Sequence, residues 1–401
     1  MYLPQQSLAP HVMGFAYRIL ICIVLLTVWI GRANASQGHF PEPIADFEAH
    51  QQQVLEYLLD YSLPQRNPEE IKLNLPFQLK ASQDAPYRGK FLLIHGLNDS
   101  AYVWRDTALE LAARGYDVRS ILLPGHGSSP VHQLDIHYKE WLTAVRKHFA
   151  LWNIDDTPIY LGGFSLGGVL ATILALEQPQ VKGLFLFSPA YKSKLNHYLR
   201  WSWIYQKFRP WIFGGMILED NPIKYNSIPV NSGTQFFNTT RKLAGKWRFK
   251  SLDIPVLMIL SSDDSVVDIE FVRKKFASKF KHPNKQLMIY AADPEQPTKQ
   301  NELLVDSQNL ERRIINQSHL SLMNSPNNPL FGERGNVLVC NGNEYPIFMA
   351  CMRAKGHWYG AQHTPSPDGT PVARTTYNPK FDRIFESFDN LFIQGMEPAE
   401  N

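Results

Sequence analysis

Cysteine, long hydrophobic runs and basic blocks are all scarce in this sequence of 401 residues. Its three cysteines form no CxxC pair and no histidine-rich cluster accompanies them, so the common patterns of a metal site are missing. Lysine and arginine are not gathered into a block, and the net charge of +3 is too small to indicate a nucleic-acid partner. We therefore expect neither a metal ion nor bound nucleic acid.

One hydrophobic run stands out near the amino terminus. Residues 19–30 are apolar apart from Thr27, but the run is shorter than the roughly 20 residues of a membrane-spanning helix. Arg18 precedes the run and Ala33-Asn34-Ala35 follows it, an order typical of a secretory signal peptide. We predict that residues 1–35 are removed and that the protein is periplasmic or secreted. The alternative is an uncleaved segment that anchors the protein to a membrane.

Removal of residues 1–35 would leave two cysteines, Cys340 and Cys351. Exported proteins meet oxidising conditions, so an even number of cysteines favours a disulfide. Asn341-Gly342-Asn343 is a tight-turn signal between the apolar runs 337–339 and 347–350. This spacing predicts a cross-linked hairpin, with two buried thiols as the alternative.

Apolar residues make up 44% of the chain, which is enough for a large buried core. After a partly helical lead-in, residues 36–88, short apolar runs alternate with stretches of helical spacing. Predicted strands cover residues 90–94, 117–123, 158–164, 181–187, 254–260 and 286–291. Predicted helices between them cover residues 102–115, 136–152 and 166–176. This alternation indicates a mostly parallel sheet covered by helices on both faces.

Residues 191–250 interrupt this alternation, because they contain no clear strand. The segment is rich in aromatic residues, which argues against disorder and favours a helical cap over the site. We expect most of these aromatic side chains to form the core of the cap itself. They are Trp201, Trp203, Tyr205, Phe208, Trp211, Phe213, Phe236 and Phe237.

The strongest chemical motif is Gly163-Phe164-Ser165-Leu166-Gly167, which lies between a predicted strand and a predicted helix. This is the setting of a nucleophile elbow, a sharp turn that raises a serine hydroxyl above the sheet edge. Side chains two positions away would collide in such a turn, so glycine is needed at 163 and 167. We predict that Ser165 is a catalytic nucleophile.

A second motif, His95-Gly96-Leu97, follows the first strong strand. Attack by a serine creates an oxyanion, which needs donors already in place. The backbone N–H groups of Leu97 and Leu166 could supply them, and we expect His95 to be structural.

Together with these motifs, Leu122-Leu123-Pro124-Gly125-His126-Gly127 after a strand resembles the α/β-hydrolase superfamily. The likeness is greatest to its lysophospholipase, monoacylglycerol-lipase and serine-aminopeptidase-like branch. It implies a mostly parallel eight-stranded sheet flanked by helices, with a helical cap insertion. The core would then be residues 89–190 and 251–401, and the cap residues 191–250. The resemblance also implies catalytic residues in the order serine, acid, histidine.

The family pattern places the acid after the strand that follows the cap, which selects Asp264, with Asp263 as the alternative. We expect Asp268 to cap the next helix. The base should be a later histidine, and His319 follows the strand-like run that begins at Ile314. His357 is the main alternative.

Two further histidines, His282 and His363, are weaker candidates for the base. The sequence departs from the family pattern around His319. Residues 293–309 look like an insertion, and a tail of about eighty residues follows His319.

These residues predict a serine hydrolase that cleaves carboxylic esters through an acyl-enzyme and needs no cofactor. The aromatic cap favours a lipid-like substrate, either a lysophospholipid or a monoacylglycerol, and proximity to a membrane surface. A serine aminopeptidase is the alternative enzyme, although Glu219-Asp220 is the only acidic pair in the cap. A non-catalytic binding protein with the same fold is the alternative outside enzymes.

Overall fold

The computed structural model describes residues 38–295, 298–340 and 345–394. The predicted signal peptide lies outside the described residues, as does the predicted turn at 341–343. From Phe40 onward, the described residues form one compact unit. Within the described ranges, no helix is both long enough and apolar enough to cross a bilayer.

An eight-stranded sheet forms the centre of the fold, in the order β1-β3-β2-β4-β5-β6-β7-β8. Its strands are β1 Phe77–Leu79, β2 Gly89–Ile94, β3 Tyr116–Ile121, β4 Ile159–Phe164, β5 Val181–Phe187, β6 Val256–Ser261, β7 Lys285–Ala291 and β8 Glu302–Asp306. β1 pairs antiparallel with β3, and all the other pairs are parallel. The predicted mostly parallel sheet is therefore confirmed.

Helices cover both faces of this sheet. They are α1 Phe47–Tyr61, α2 Pro68–Lys72, α3 Arg105–Ala113, α4 Tyr138–Trp152, α5 Leu166–Ala175, α6 Asn196–Leu199, α7 Ser202–Tyr205, α8 Val230–Trp247, α9 Ile269–Lys279, α10 Tyr345–Arg353 and α11 Asp382–Phe388. One hydrophobic core lies between the sheet and α4, α5, α8 and α9. The other lies on the opposite face, beneath α3 and α11. Burial on both faces explains why the central strands are continuously apolar.

Two strands at the edges of the sheet depart from the sequence prediction. β1 was not predicted, and the segment read as an insertion at 293–309 contains β8. The run at Ile314 forms only isolated bridges, to Asn309 and Tyr359. His319 therefore follows an irregular segment that lies beyond the last strand of the sheet.

The segment 191–250 contains α6, α7 and α8, joined by irregular stretches. Our expectation for its aromatic residues was wrong. Of the eight, Phe236 alone is buried, and five are exposed. Trp203 is 50% exposed and Phe208 is 80% exposed. These side chains therefore form a surface of the cap, because α6 and α7 are single turns that can bury only one side.

The predicted disulfide between Cys340 and Cys351 is confirmed, with Cα atoms 5.9 Å apart. The predicted hairpin around it is wrong, since residues 347–350 lie in α10 and residues 337–339 form no strand. Pro346 stands near the start of α10, where the missing N–H of proline costs no helical hydrogen bond. The apolar run is therefore part of a short helix.

Candidate active site

Ser165 lies at the sharp turn between β4 and α5, at the carboxyl edge of the sheet. Its φ of 53° and ψ of −114° are outside the regions that ordinary residues prefer. Four backbone hydrogen bonds hold the turn, including Ser165 N–H to the Phe187 carbonyl at 3.0 Å and Ala190 N–H to the Ser165 carbonyl at 3.0 Å. The turn therefore has the backbone geometry of a nucleophile elbow.

Glycine is required on both sides of this turn. A Cβ at Gly167 would lie 1.9 Å from the Ile94 carbonyl oxygen, and one at Gly163 would lie 2.6 Å from the Gly167 oxygen. Both obstacles are backbone atoms, which cannot move aside cheaply. The structure thus supplies the physical reason for the G-x-S-x-G spacing.

The loop after β2 places a second backbone N–H group near the elbow. The fully buried His95 accepts a hydrogen bond from Leu123 N–H through Nε2 at 3.0 Å, and its Nδ1 lies 2.7 Å from the Gly96 carbonyl. Burial lowers the pKa of His95 well below its ordinary value, so this ring is neutral and structural. Within the described residues, neither Leu97 N–H nor Leu166 N–H donates to another protein group.

Asp264 and His319 form a direct pair. Asp264 Oδ2 lies 2.6 Å from His319 Nδ1, and Oδ1 accepts hydrogen bonds from Val266 N–H and Val267 N–H at 2.8 and 3.0 Å. Burial raises the pKa of Asp264, but His319 and the two amides outweigh it and hold that pKa below its usual range. Asp264 is therefore ionised near neutral pH.

The ring of His319 is also close to the elbow, since its centroid lies 5.1 Å from that of Phe164. The structure thus places the Asp264–His319 pair beside the elbow that carries Ser165, although the three residues are far apart in the chain. Ser165 and His319 are each largely covered, with Ser165 only 8% exposed.

The alternative residues lie elsewhere. Asp263 accepts a hydrogen bond from Ser262 Oγ at 2.8 Å, and His357 Nε2 lies 2.7 Å from the Cys351 carbonyl. His282 accepts from Asn284 N–H. Asp268 caps α9 through Phe271 N–H at 3.0 Å, as expected. None of these residues takes part in the hydrogen bond between Asp264 and His319.

The family model described as "Serine aminopeptidase, S33" matches residues 85–219, which contain β2 to β5 and Ser165. This match and the mostly parallel eight-stranded sheet support a relation to the α/β-hydrolase superfamily, in its serine-aminopeptidase and monoacylglycerol-lipase-like branch. The match ends within the cap, so Asp264 and His319 lie beyond it.

Two curated relatives match this chain over short stretches. The pimeloyl-[acyl-carrier protein] methyl ester esterase of Aeromonas salmonicida (strain A449) is 35% identical over 89 residues, which is 22% of this chain and 33% of the relative. The thermostable monoacylglycerol lipase of Bacillus sp. (strain H-257) is 28% identical over 93 residues, 23% of this chain and 37% of the relative. The chain therefore matches about a third of the length of each.

Among solved structures, a chain from a study of two metagenome-derived lipolytic enzymes is similar in fold. The match covers 62% of this chain and 90% of the solved chain, at 17% identity and a TM-score of 0.48. The structure of the Paleococcus ferrophilus monoacylglycerol lipase overlaps 54% of this chain and 88% of its own, at 20% identity and a TM-score of 0.44.

The loop that carries His319 is fastened to a segment that the sequence did not predict to be part of the site. We call this segment, residues 358–375, the strap; it contains β9 Trp358–Gly360 and β10 Val372–Arg374, which pair in parallel. Thr375 Oγ1 donates to the Asn316 carbonyl at 2.7 Å, and Ser318 Oγ donates to the Thr375 carbonyl at 2.7 Å. These bonds hold the backbone on the amino-terminal side of His319.

The strap also reaches the loop of the acid. Arg374 Nη1 donates to Ser265 Oγ at 3.3 Å, next to Asp264. Burial lowers the pKa of Arg374 to about 10, and the negative charge of Asp264 opposes this shift, so the guanidinium remains protonated at neutral pH. Arg374 N–H donates to the Val339 carbonyl at 2.8 Å, beside the disulfide. No motif marks these residues, because polar contacts across long sequence distances leave no periodic signal.

Replacing both Cys340 and Cys351 with serine should lower the free energy of unfolding by about 3 kcal/mol, since the bond closes a short loop in the unfolded chain. Urea unfolding measures this loss. Treating the unaltered protein with dithiothreitol should reproduce it, and the double variant should not respond to dithiothreitol. Equal stability of the variant and the oxidised protein would show that the bond does not hold the strap.

Proposed function

We propose that this α/β-hydrolase is a serine hydrolase that cleaves carboxylic esters through an acyl-enzyme. The observation that carries the proposal is the buried Asp264–His319 pair beside an elbow serine with positive φ. A structural serine would need neither the strained turn nor the two glycines around it. A non-catalytic binding protein would have no use for this arrangement, because the strain is costly and persists only where surroundings enforce it.

In the proposed mechanism, Ser165 Oγ attacks the carbonyl carbon of the ester while its proton passes to His319 Nε2. Asp264 accepts the Nδ1–H of the ring, which fixes the tautomer and stabilises the imidazolium. The N–H groups of Leu97 and Leu166 stabilise the oxyanion. The tetrahedral intermediate expels the alcohol, which takes the proton from His319. Water then attacks the acyl-enzyme with His319 as the base, releasing the acid and freeing Ser165.

The proposed substrate is a lipid-like ester, a lysophospholipid or a monoacylglycerol, met close to a membrane surface. Support comes from the exposed aromatic side chains of the cap and from the monoacylglycerol lipase among the relatives. The proposal also includes export, with residues 1–35 removed and the protein periplasmic or secreted, or held by them as an anchor. The buried disulfide supports an oxidising compartment.

The structure does not favour the serine aminopeptidase alternative. Recognition of a free amine would need an acid directed at the substrate. Glu219 is buried and its two carboxylate oxygens accept from Asn226 N–H and Ser227 N–H at 2.8 and 2.6 Å. Asp220 accepts from the Asn226 side chain at 2.5 Å. Both acids are therefore engaged within the cap loop.

A fluorophosphonate probe should label the protein at Ser165, and peptide mass spectrometry would locate the adduct. A series of p-nitrophenyl esters of increasing chain length should then show kcat/KM rising with length, while an aminoacyl-p-nitroanilide is not turned over. Labelling at another serine would refute the nucleophile assignment. Turnover of the anilide in preference to esters would favour the aminopeptidase.

A further inference from the structure

The cap carries a charge that the rest of the protein does not share. Residues 191–250 contain eleven lysines and arginines and two acids, a net charge of +9 in a chain of net charge +3. The remainder of the chain therefore carries −6. Such an asymmetry creates a field that orients the molecule toward anionic surfaces.

Most of the cationic side chains in the cap are exposed and form no ion pair within the described ranges. Three of the eleven are paired with acids of the protein, as Lys192–Asp268, Lys224–Asp99 and Lys246–Glu177. Across the described ranges, the other eight have no ion pair, and all eight are exposed. They are Lys194, Arg200, Lys207, Arg209, Arg241, Lys242, Arg248 and Lys250.

The same part of the cap exposes a concentrated apolar surface. Of the 22 large hydrophobic side chains that are exposed in the described ranges, twelve lie between residues 195 and 218. Scattered exposed hydrophobics are ordinary in a soluble protein, but a cluster of this density marks an interaction surface. We call residues 195–218 the docking face.

Cations and aromatic rings alternate along the docking face. The Arg200 guanidinium lies 5.6 Å from the centroid of Trp201, and Lys207 Nζ lies 6.0 Å from that of Trp203. Tryptophan and tyrosine favour the boundary between lipid headgroups and acyl chains, where long cationic side chains reach the phosphates.

A groove of 830 Å³ adjoins the docking face, between α6, α7 and α8. Its walls include the apolar Leu199, Trp203 and Phe237 together with the cationic Arg200 and Arg241. Among its lining residues in the described ranges there is no acid. A groove lined by both apolar and cationic side chains suits an acyl chain joined to an anionic headgroup.

We propose that the docking face binds a bilayer containing anionic phospholipids, with the cationic residues on the headgroups and the aromatic residues in the interface. The partner follows from the combination of charge and apolar surface. Nucleic acid would match the charge but not the exposed isoleucine, leucine and phenylalanine side chains. A second copy would match the apolar surface but would set +9 against +9.

This inference rests on the proposed function, because a hydrolase of lipid esters meets its substrate at a bilayer. The cap contacts the loop after β2 that carries Leu97. Lys224 pairs with Asp99 at 2.7 Å, and Tyr225 N–H donates to the Asn98 carbonyl at 2.9 Å. Docking therefore holds the loop of Leu97 close to the lipid surface. Binding itself requires no catalysis.

The test measures binding of the full chain carrying Ser165→Ala, which cannot consume lipid. The protein is floated with vesicles of phosphatidylcholine alone and with vesicles that also contain phosphatidylglycerol. We expect stronger partition onto the anionic vesicles, and a fall in that partition as sodium chloride is raised. Equal partition onto both kinds of vesicle, or onto neither, would overturn the proposal.

Two pairs of substitutions test whether the cations of the docking face, and not the net charge of the protein, determine binding to anionic vesicles. Lys207→Gln with Arg209→Gln should lower partition onto anionic vesicles about 25-fold, since each cation near such a surface contributes about fivefold. Lys182→Gln with Lys281→Gln, two exposed lysines of the body, is the matched control and should change nothing. An equal loss in both pairs would indicate a net-charge effect and refute the docking face.

The apolar contribution is tested in the same way. Trp203→Ser with Phe208→Ser should lower partition about tenfold or more. The control, Leu59→Ser with Ile154→Ser, removes side chains that are 48% and 79% exposed on the body and should leave partition unchanged. Equal losses from the two pairs would refute the assignment of the apolar contact to the cap.

Three further measurements distinguish the competing outcomes. Binding to an oligonucleotide without binding to vesicles would assign the face to nucleic acid. A dimer in light scattering that the Trp203→Ser, Phe208→Ser variant abolishes would assign it to a second copy, and either result overturns the proposal. Turnover of a short soluble ester by the Lys207→Gln, Arg209→Gln variant with Ser165 intact should stay within about twofold of the unaltered protein. If turnover is absent while vesicle binding persists, the proposed function fails and the docking face stands.

Discussion

Replacing Ser165 with alanine should lower kcat for a short soluble ester by on the order of a millionfold. The loss is this large because no other group on the sheet edge can form the acyl-enzyme, and the remaining donors stabilise only uncatalysed attack by water. Steady-state assays over long incubation measure the residual rate. The variant should unfold at the same urea concentration as the unaltered protein, since the hydroxyl is a small part of the turn.

Ser188 provides the matched control for this experiment. It is also a fully buried serine with a positive φ, of 39°, and it follows β5, the neighbour of β4. Ser188→Ala should keep kcat within about threefold, because surface or neutral substitutions away from reacting atoms have small effects. Residual activity of Ser165→Ala close to that of Ser188→Ala would remove Ser165 from the mechanism.

Replacing Asp264 with asparagine should lower kcat about ten-thousandfold, the size of loss seen when a triad acid imposes the wrong tautomer. The amide nitrogen of an asparagine can donate to His319 Nδ1, which leaves Nε2 protonated and unable to accept the Ser165 proton. The hydrogen bonds from Val266 and Val267 to Oδ1 can be kept, so the loop should remain in place. The measurement is kcat at neutral pH.

Asp263→Asn is the control, because it makes the same change one residue earlier in the chain. Asp263 is half-buried and bonded to Ser262, without contact to His319. Its substitution should change kcat less than about threefold. If Asp263→Asn is the damaging substitution and Asp264→Asn is not, the acid has been wrongly assigned.

The central strands could be predicted from the sequence because they are buried on both faces and continuously apolar. β4 and β5 show this pattern over their full length, apart from the exposed Lys182. β1 and β8 could not be recognised, since an edge strand has one neighbour and is only half-covered. β8 begins at Glu302 and ends at Asp306, so its sequence resembles that of a loop.

The strained turn at Ser165 could be predicted because such a turn requires glycine on both sides, and these glycines lie within two residues of Ser165 in the sequence. The pairing of Asp264 with His319 followed from the order of elements implied by the family. The strap could not be predicted. Thr375 contacts Asn316 and Ser318 across more than fifty residues through single hydrogen bonds, which impose no pattern on the intervening sequence.

The exposure of the cap aromatics was the main error of the sequence analysis. Composition alone favours burial for tryptophan and phenylalanine, because burial of their large apolar surface is the dominant stabilising effect. α6 and α7 contain four residues each, too few to enclose the side chains that they carry. The density of aromatic residues therefore marks an exposed surface of the cap and not its core.

The strap has a consequence for the timing of activity during synthesis. A growing chain that has been released as far as residue 335 already contains Ser165, Asp264 and His319. It still lacks Arg374 and Thr375, which hold the loops of the acid and the base. The elbow can therefore fold long before the loop of His319 is fixed, and, if the proposed function holds, we expect the nascent chain to stay silent toward esters until the strap has joined the fold.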